Sequence, residues 1–336
     1  MKAKIKDIAY YLPGRIVTNA DLGKKYPAWD MKTVEQSVGV KKRHIARNNE
    51  TALDLSFKAC QKLFRRNNGL RQRIDGIIFC TQSEDYIMPP NSCILHKLFD
   101  LPEEVFAFDL NLACSGYIYG LALARSLILS GTVKNILLVN ADTYSKYINP
   151  GDRAATVLFG DGAAVSWITG SRSRQGVLDI KCATHGKHFD KFIIHAGCCR
   201  MPRSPKTSIP TVDKSGNVRT LENIHMNGME ILTFVNSKVP QQVRSVLLKN
   251  KLKISDIDLF VFHQASKLVL DALIRVLGIP REKAYINLQD VGNTVSASIP
   301  IALKDAMDKG KVSRGDKVLL CGFGAGLSWG TAVVEL

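Results

Sequence analysis

Apolar strand-like runs alternate with amphipathic helical patterns along most of this 336-residue chain, and this alternation limits the fold more than any other feature. The runs that read as buried strands cover residues 74–81, 105–110, 135–140, 257–262 and 317–321. The helical patterns cover residues 51–67, 116–130 and 300–309, and Thr51 is suited to the N-cap of the first. Strands and helices in alternation predict an α/β fold with mainly parallel sheets.

The second half of the chain repeats the order of the first. Ser115 begins a helical pattern that closes at Gly131 before an apolar strand, and Ser296 begins a similar series that closes at Gly310. This match predicts two pseudo-symmetric halves. We therefore divide the chain into an N-terminal half (1–170), an irregular connecting segment (171–223) and a C-terminal half (224–336). The connecting segment either lines a substrate entrance or is a solvated surface insertion.

The composition indicates a soluble, cytoplasmic protein with reduced thiols. A hydrophobic content of 46% is enough for a large core, and no apolar run is long enough to span a bilayer. The charged N-terminus lacks the apolar stretch of a signal peptide. Eight cysteines in a chain of this length do not make a disulfide scaffold.

The formal net charge of +16 predicts attraction to an acidic partner. We expect no nucleic-acid partner, because the chain has no zinc-finger spacing, RNP-type aromatic motif or long basic tail. A strongly acidic carrier protein or a phosphorylated cofactor explains the sign of the charge equally well.

Cys114 is the first candidate for a nucleophile. It follows a predicted strand and precedes an apolar helix, where the helix dipole and free backbone N–H groups favour the thiolate. Gly116 allows the backbone to turn tightly beside a bound thioester. Taken alone, a cysteine at such a junction is more often a buried structural thiol.

His263 and Asn293 are the second and third candidates. His263 ends an apolar strand, and ligands of open α/β sheets gather at such carboxyl ends. Asn293 holds the place in the second half that Cys114 holds in the first, so pseudosymmetry points both at the centre of the molecule. Alone, His263 reads as a buried histidine with a local hydrogen bond and Asn293 as a helix N-cap. The glycine-rich turn at 322–330 can aim N–H groups at an oxyanion.

Several motifs together resemble the signature segments of ketoacyl-ACP synthase III, a family of the thiolase superfamily. In chain order they are Tyr11-Leu12-Pro13, Val17-Thr18-Asn19, Arg43-His44-Ile45-Ala46, Cys114-Ser115-Gly116, Phe159-Gly160-Asp161-Gly162, His263-Gln264-Ala265, Gly292-Asn293-Thr294 and Gly322-Phe323-Gly324-Ala325-Gly326-Leu327-Ser328-Trp329-Gly330. They run from near residue 8 to the C-terminus in the family's order. The Cys-His-Asn set also differs from that of elongating ketoacyl synthases, which use two histidines.

The resemblance implies a thiolase-like fold in five layers, αβαβα, and an acyltransferase reaction. Cys114 would take an acyl group from a thioester donor. His263 and Asn293 would hold the thioester carbonyl of malonyl-ACP and stabilise the enolate formed as carbon dioxide leaves. Attack of that carbanion on the acyl-enzyme would give a 3-oxoacyl-ACP. Backbone N–H groups of Cys114 and Ala325 would form the oxyanion hole. No metal or cofactor is implied.

The resemblance also implies a homodimer with acyl carrier protein as its partner. Met88 matches the position from which one subunit reaches into the pocket of its neighbour, and Gly324 and Gly326 match pocket positions. The +16 charge fits the docking of an acidic carrier protein.

The chain departs from the family pattern around the donor site. Members that accept acyl-CoA carry a Trp and an Arg where this chain has Thr33 and Ser37, and Trp29 lies four residues before the first of these. We therefore expect an acyl-ACP or an unusual acyl thioester as donor. Ser266 replaces the family's Asn, which we expect to tune the site. Residues 144–150 resemble a subgroup associated with polysaccharide or specialised acyl pathways.

Other functions fit parts of the pattern. The order Cys, His, Asn also occurs in papain-like hydrolases, whose nucleophile lies near the start of a secreted chain. On the same fold, acyl transfer to a hydroxyl or an amine would keep the nucleophile but need no decarboxylation, and a non-enzymatic partner subunit would tend to lose it. His185, His188, His195, Cys198 and Cys199 match no tight zinc spacing, so we expect no metal site.

Overall fold

The fold is built on two large β-sheets. The computed structural model describes residues 2–173 and 175–336. The strands are β1 (Lys2–Tyr11), β2 (Arg15–Thr18), β3 (Lys42–Ile45), β4 (Gly76–Cys80), β5 (Phe106–Leu110), β6 (Asn135–Asp142), β7 (Gly162–Ser171), β8 (Gly176–Thr184), β9 (Phe192–Ile193), β10 (Thr211–Val212), β11 (Val218–Arg219), β12 (His225–Met226), β13 (Leu259–Phe262), β14 (Lys317–Gly324) and β15 (Ser328–Glu335). The α-helices are α1 (Asn19–Lys25), α2 (Met31–Ser37), α3 (Ala52–Arg66), α4 (Asn91–Leu98), α5 (Gly116–Leu129), α6 (Arg153–Thr156), α7 (Gly228–Lys249), α8 (Lys267–Leu277), α9 (Leu288–Val291) and α10 (Ser298–Asp308).

The first sheet has the strand order β1-β7-β6-β4-β5. Its strands β4, β5 and β6 run parallel, and β1 and β7 pair antiparallel at the other side. Strand β4 is buried along its whole length, which fits the uninterrupted apolar run that predicted it. Strand β5 forms one edge of the sheet.

The second sheet has the order β13-β14-β15-β8, with β13 and β14 parallel. Strand β8 departs from the sequence expectation, because it falls in the segment 171–223 that we expected to be irregular. It pairs antiparallel with β15 along nearly its full length. The rest of that segment is mostly loops and two-residue strands, as expected.

Helices cover both faces of both sheets. The apolar side chains of α5 and α10 pack with those of β4, β13, β14 and β15 in a single central cluster, so these two helices lie between the sheets. Helix α5 is apolar on nearly all sides for that reason. Helices α3 and α4 cover the outer face of the first sheet, and α7 and α8 cover the outer face of the second. The five layers confirm the αβαβα prediction.

Helix starts follow the expected local chemistry. Thr51 caps α3 through a reciprocal capping box with Asp54, as its position in the sequence predicted. None of the helices in the described ranges is both long enough and apolar enough to cross a membrane.

Candidate active site

Cys114 lies in the short turn between β5 and α5, pressed against the end of β14. A Cβ atom at Gly324 would lie 2.9 Å from Sγ of Cys114, and one at Gly322 would lie 2.6 Å from its carbonyl oxygen. The hydroxyls of Ser115 and Ser328 join the same turn to β15 at 2.7 Å. The glycines that end β14 therefore let the nucleophile's backbone lie directly on the second sheet.

Gly116 serves packing rather than a tight turn. Its backbone does not take a positive φ, in contrast to the conformational role expected from the sequence. A Cβ atom at this position would collide with Sγ of Cys80. The residue is thus restricted by the closeness of α5 to β4.

His263 follows β13 and is almost completely buried. Its backbone N–H donates to Cys321 O at 2.8 Å, which continues the β13–β14 pairing past the end of β13. Its Nδ1 lies 2.6 Å from Oγ of Ser298, the first residue of α10. Burial lowers the pKa of His263 to about 3, although a hydrogen bond to the backbone of Val295 raises it slightly. The imidazole is therefore neutral at physiological pH.

Asn293 approaches His263 from the start of the second-half helix. Its carbonyl oxygen Oδ1 accepts the N–H of Val295 at 2.9 Å, which fixes the orientation of the amide. Its Nδ2 then faces Nε2 of His263 at 3.3 Å and Ala265 O at 3.5 Å. Since Nδ2 is a donor, Nε2 accepts, and the ring proton is on Nδ1, donated to Ser298.

One cavity of about 790 Å³ borders Cys114, His263 and Asn293 together. Residues from the segments 190–195, 213–219, 225–235 and 263–269 are among those that line it, so part of the connecting segment borders the cavity. Gly324 borders the cavity, whereas Gly326 does not. Met88 is 79% exposed and lies outside its own chain's cavity.

The electrostatic setting of Cys114 differs from the expected one. Burial, and then the charge of Asp142, raise the pKa of the Cys114 thiol well above that of a free cysteine. The sequence suggested that the position before α5 would favour a thiolate. In this buried environment that position is not enough to make Cys114 a thiolate. The residue is held as a thiol until a reaction partner takes its proton.

Comparison with known proteins places this geometry in one family. The sequence model of the 3-oxoacyl-[acyl-carrier-protein] synthase III family matches residues 108–186. The model of that family's C-terminal region matches residues 247–336. The beta-ketoacyl-[acyl-carrier-protein] synthase III of Clostridium perfringens is 35% identical over 334 residues, covering 99% of both chains. The protein of the same name from Campylobacter jejuni is 35% identical over 336 residues, covering 100% of this chain and 98% of that one. The chain belongs to the 3-oxoacyl-[acyl-carrier-protein] synthase III family.

Solved structures of synthase III proteins agree with this assignment. A 2.1 Å crystal structure of a 3-oxoacyl-(acyl-carrier-protein) synthase III superposes with a TM-score of 0.98 at 37% identity, covering 100% of both chains. The synthase III of Thermus thermophilus superposes with a TM-score of 0.89 at 34% identity, covering 99% of both chains. The family resemblance and the thiolase-like fold are confirmed, the chain is an enzyme, and the papain-like alternative is excluded.

The two residues that the sequence predicts for the oxyanion hole, Cys114 and Ala325, lie in segments that pack against each other. Ala325 is buried and directly follows Gly324, where an added Cβ atom would lie 2.8 Å from Cβ of Cys114. The backbone amides of Cys114 and Ala325 therefore belong to two segments that meet at the nucleophile. This placement suits two N–H donors aimed at one oxygen.

The donor-site departures of this synthase III lie outside the cavity. Thr33 and Ser37 are both in α2, where the hydroxyl of Thr33 donates to Asp30 at 2.6 Å and that of Ser37 donates to Thr33 O at 2.8 Å. Trp29 stacks on Tyr26 with ring centroids 4.1 Å apart. None of these three residues lines the cavity, and one face of the Trp29 indole stacks on Tyr26.

The remaining site predictions of the sequence concern Ser266 and the histidine-rich segment. Ser266 borders the cavity and caps α8 through its bond from Val269 N–H at 3.4 Å. The rings of His185 and His188 contact each other, as do those of His195 and His225. Across residues 2–173 and 175–336, no group of three or more His, Cys, Asp or Glu side chains is arranged to hold a metal ion.

Sequence reasoning missed Ser298 as the partner of His263. Ser298 appears in the sequence only as part of a helix start, 35 residues from the histidine. No local signal links the two, because the contact depends on how α10 meets the end of β13.

Proposed function

We propose that this synthase III condenses an acyl thioester with malonyl-ACP, with loss of carbon dioxide, to give a 3-oxoacyl-ACP through an acyl-Cys114 intermediate. The observation that carries the proposal is the convergence of Cys114, His263 and Asn293 on one cavity. A thiol nucleophile beside two neutral hydrogen-bonding groups is suited to acyl transfer followed by enolate chemistry.

The first half-reaction transfers the acyl group to sulfur. The Cys114 sulfur attacks the thioester carbonyl, and the N–H groups of Cys114 and Ala325 stabilise the tetrahedral oxyanion. The donor's carbon–sulfur bond breaks, and the donor leaves as a thiol carrying the proton that Cys114 loses. Exchange of one thioester for another needs no oxidant, metal or cofactor.

The second half-reaction forms the carbon–carbon bond. Nδ2 of Asn293 and Nε2 of His263 hold the malonyl thioester oxygen, so that the enolate left by departing carbon dioxide is stabilised where its charge develops. The carbanion attacks the acyl-Cys114 carbonyl and the carbon–sulfur bond breaks, so the sulfur leaves as a thiolate that takes a proton from solvent water. A neutral His263 is the better donor here because it offers one N–H without a buried positive charge.

For His263 to donate from Nε2, its ring proton must move from Nδ1. Ser298 permits this, because a hydroxyl can accept from Nδ1–H or donate to a bare Nδ1. The pair at 2.6 Å therefore accommodates both tautomers without a change of position.

We further propose that the donor is carried by acyl carrier protein rather than coenzyme A. The support is the set of contacts that the three donor-site residues make. The hydroxyl of Thr33 bonds to Asp30 at the start of α2, the hydroxyl of Ser37 bonds to the backbone of α2, and Trp29 stacks on Tyr26. A net charge of +16 favours encounter with an acidic carrier. Coenzyme A lacks the extended acidic surface that would profit from this charge.

A homodimer completes the proposal. Met88, 79% exposed beside Ile87 at 85%, sits in a loop that would reach the acyl end of a partner's cavity. We retain the expectation of a cytoplasmic protein, where malonyl-ACP and thioester donors occur together.

Intact-protein mass spectrometry after incubation with matched acyl-CoA and acyl-ACP thioesters tests the first half-reaction. We expect an acyl adduct from acyl-ACP on the wild type and none on Cys114→Ala. Efficient acylation by acetyl-CoA would overturn the carrier-protein donor while leaving the nucleophile intact.

Carbon dioxide release with malonyl-ACP tests the second half-reaction. Release together with a 3-oxoacyl-ACP product supports condensation. An acyl adduct that passes to a hydroxyl or amine without carbon dioxide release would show the alternative acyl transfer, and absence of any adduct would contradict an enzymatic role for Cys114.

A further inference from the structure

Asp142 ends β6 in the first half of the chain and is completely buried where the two halves meet. Its Oδ1 accepts the backbone N–H of Gln82 at 2.9 Å and the hydroxyls of Thr81 and Ser83 at 3.4 and 3.5 Å. Its Oδ2 accepts both the N–H of Ser296, at 3.2 Å, and its hydroxyl, at 2.6 Å. One carboxylate thus ties the end of β4 to the turn that precedes α10.

The five donors around Asp142 are all neutral. Burial raises the pKa of Asp142 to about 7, against the lowering effect of the hydrogen bonds from Gln82 and Ser296. A buried carboxyl group requires hydrogen-bond partners, and two of these five donors come from Ser296 in the other half of the chain. Asp142 therefore fixes the position of Ser296 relative to the end of β4.

The turn that Asp142 holds also orients the amide of Asn293. Val295, the residue before Ser296, has a φ of 53°, a conformation that a β-branched residue adopts only when its surroundings enforce it. In that conformation the N–H of Val295 donates to Oδ1 of Asn293 at 2.9 Å. The anchor on Ser296 and the bond to Asn293 therefore come from consecutive residues.

The orientation of the amide decides whether Asn293 can act as a donor. With Oδ1 occupied by Val295, Nδ2 faces the cavity side of His263 at 3.3 Å. If the turn relaxed, the bond from Val295 would be lost and the amide could rotate to present its oxygen instead. An oxygen at that place would repel the developing enolate charge rather than stabilise it.

We propose that Asp142 is a positioning residue for the condensation step, which holds Ser296 and thereby keeps Val295 in the conformation that turns Nδ2 of Asn293 toward the reacting carbonyl. This inference rests on the proposed function above. Asp142 itself touches no substrate, and its effect passes through the turn at 293–296.

The same carboxylate has an opposite influence on the first half-reaction. The charge of Asp142 raises the pKa of the Cys114 thiol, second only to burial. Loss of the charge therefore makes Cys114 easier to deprotonate, whereas loss of the anchor loosens Asn293. A residue with a purely structural role would move both half-reactions in the same direction.

The test measures the two half-reactions separately in Asp142→Asn and Ser296→Ala. Acylation of Cys114 is followed by intact mass in rapid-quench samples, and condensation by carbon dioxide release from malonyl-ACP. For Asp142→Asn we expect acylation at or above the wild-type rate, with kcat for condensation lower by about ten- to a hundredfold and little change in KM. Ser296→Ala keeps the carboxyl group but removes a hydrogen bond that lowers the pKa of Asp142, so we expect its condensation to fall while its acylation stays at or above the wild-type rate.

Asp179→Asn is the matched control. Asp179 is another mostly buried carboxylate, bonded to Lys249 and Asn250 at 2.9 Å on the far side of the second sheet. Both half-reactions should keep wild-type rates in this variant. If Asp142→Asn does not fold, Ser296→Ala still decides the question, because it removes one hydroxyl and leaves the carboxylate bonded to the first half.

Two results would overturn the inference. Wild-type condensation in both Asp142→Asn and Ser296→Ala would show that the turn needs no anchor, and an equal loss of both half-reactions would show a general structural role. A wild-type enzyme that releases no carbon dioxide would instead refute the proposed function, and the inference with it.

Discussion

The Nδ1 atom of His263 is hydrogen-bonded to a hydroxyl rather than to a carboxylate. Oγ of Ser298 accepts a hydrogen bond from Nδ1–H at 2.6 Å and another from the backbone N–H of Gln264 at 3.4 Å. A carboxylate at this place would favour a charged ring, whereas a hydroxyl leaves the ring neutral and lets the proton reside on either nitrogen. The neutral ring suits a step in which the histidine donates to an enolate.

Ser298→Ala should therefore impair condensation more than acylation. The change leaves Nδ1 of a buried imidazole without its partner, at a cost of about 1–3 kcal/mol, which corresponds to roughly a five- to 160-fold change in rate. We expect this lowering of the rate to appear in kcat for carbon dioxide release, while the rate of Cys114 acylation changes little. Rapid-quench mass spectrometry and carbon dioxide assays measure the two.

Ser92→Ala is a suitable control for the serine change. Ser92 is completely buried in α4, and its hydroxyl has no hydrogen-bond partner within the described part of the chain. Both assays should give wild-type rates for this variant. Wild-type condensation in Ser298→Ala as well would mean that the hydroxyl does not govern the ring.

The buried neutral state of His263 also makes stability depend on pH. The pKa of this ring is about 3 in the folded protein and about 6.5 when unfolded, so the unfolded state binds more protons between these values. Its contribution to stability is complete above pH 6.5 and is lost as the pH falls toward 3. Between pH 7.5 and pH 4.5 the loss from this residue is about 3 kcal/mol.

Chemical denaturation of His263→Gln at several pH values checks this expectation. The variant should lose less of its free energy of unfolding on acidification than the wild type does. Cys114→Ala, which changes the same site but keeps the histidine, should follow the wild-type curve. Parallel curves for wild type and His263→Gln would contradict a low pKa at this position.

The sequence gives the identity of the central residues more readily than their chemical state. Cys114, His263 and Asn293 stand in recognisable motifs at the ends of predicted elements, and the structure brings all three to one cavity. The helix-start position of Cys114 suggested a thiolate, yet its pKa is raised, because burial and Asp142 outweigh that position. Burial of a particular atom depends on long-range packing that no local pattern records.

At the scale of elements, the end of β14 determines where the nucleophile can lie. Gly322 and Gly324 are on this strand because the Cys114 turn rests on its surface. The φ of Gly324 is 168°, an extended value that any residue can adopt, so the restriction there is steric rather than conformational. The two sheets meet through this contact, and the acyl group would be bound beside it.

Gly324→Ala should displace Cys114 and stop its acylation. The added methyl group would lie 2.8 Å from Cβ and 2.9 Å from Sγ of the cysteine, a contact that forces one segment to move. We expect a destabilisation of about 1–3 kcal/mol and an acylation rate at least about a hundredfold lower. Thermal unfolding and acyl-adduct formation measure the two effects.

Gly14→Ala is the control for this change, because a Cβ atom there meets nothing within 4 Å. This variant should acylate and unfold as the wild type does. Normal acylation of Gly324→Ala would mean that the contact between β14 and the Cys114 turn is looser than its geometry indicates.

The strands show what the sequence pattern of single elements can and cannot predict. Strands buried on both faces, such as β4 and β6, form apolar runs and were predicted from them. Strand β8 has a mixed burial pattern and the sequence GVLDIKCAT, which forms no such run, so its segment was expected to be irregular. Its place was set by the free edge of β15, a partner about 150 residues away that no local window contains.

At the scale of the whole molecule, one edge of the first sheet is open. Among residues 2–173 and 175–336, no strand pairs with the outer side of β5, and Phe106 at its start is 48% exposed. The nearby loop carries Tyr86, Ile87 and Met88, exposed at 61, 85 and 79%. An exposed edge strand beside apolar side chains is a surface that soluble proteins normally cover.

We expect two copies to pair through this edge and to form a homodimer. Light scattering coupled to size exclusion should give twice the 37.1 kDa mass of one chain. Phe106→Asp places a charge at the edge and should yield monomers, whereas Leu248→Asp, at a position 79% exposed on α7, should leave the dimer intact. A wild-type monomer at micromolar concentration would contradict the expected assembly.

We expect the dimer and the chemistry to be linked through Met88. If the Met88 side chain enters the partner's cavity, Met88→Ala should keep the dimer. The variant should also let Cys114 accept longer acyl groups, because the end of the cavity is enlarged. Phe106→Asp should lose this selectivity together with the dimer, since separation removes the partner's loop from the site. An unchanged acyl range in both variants would mean that each protomer binds its acyl group alone, and the edge of β5 would then serve assembly only.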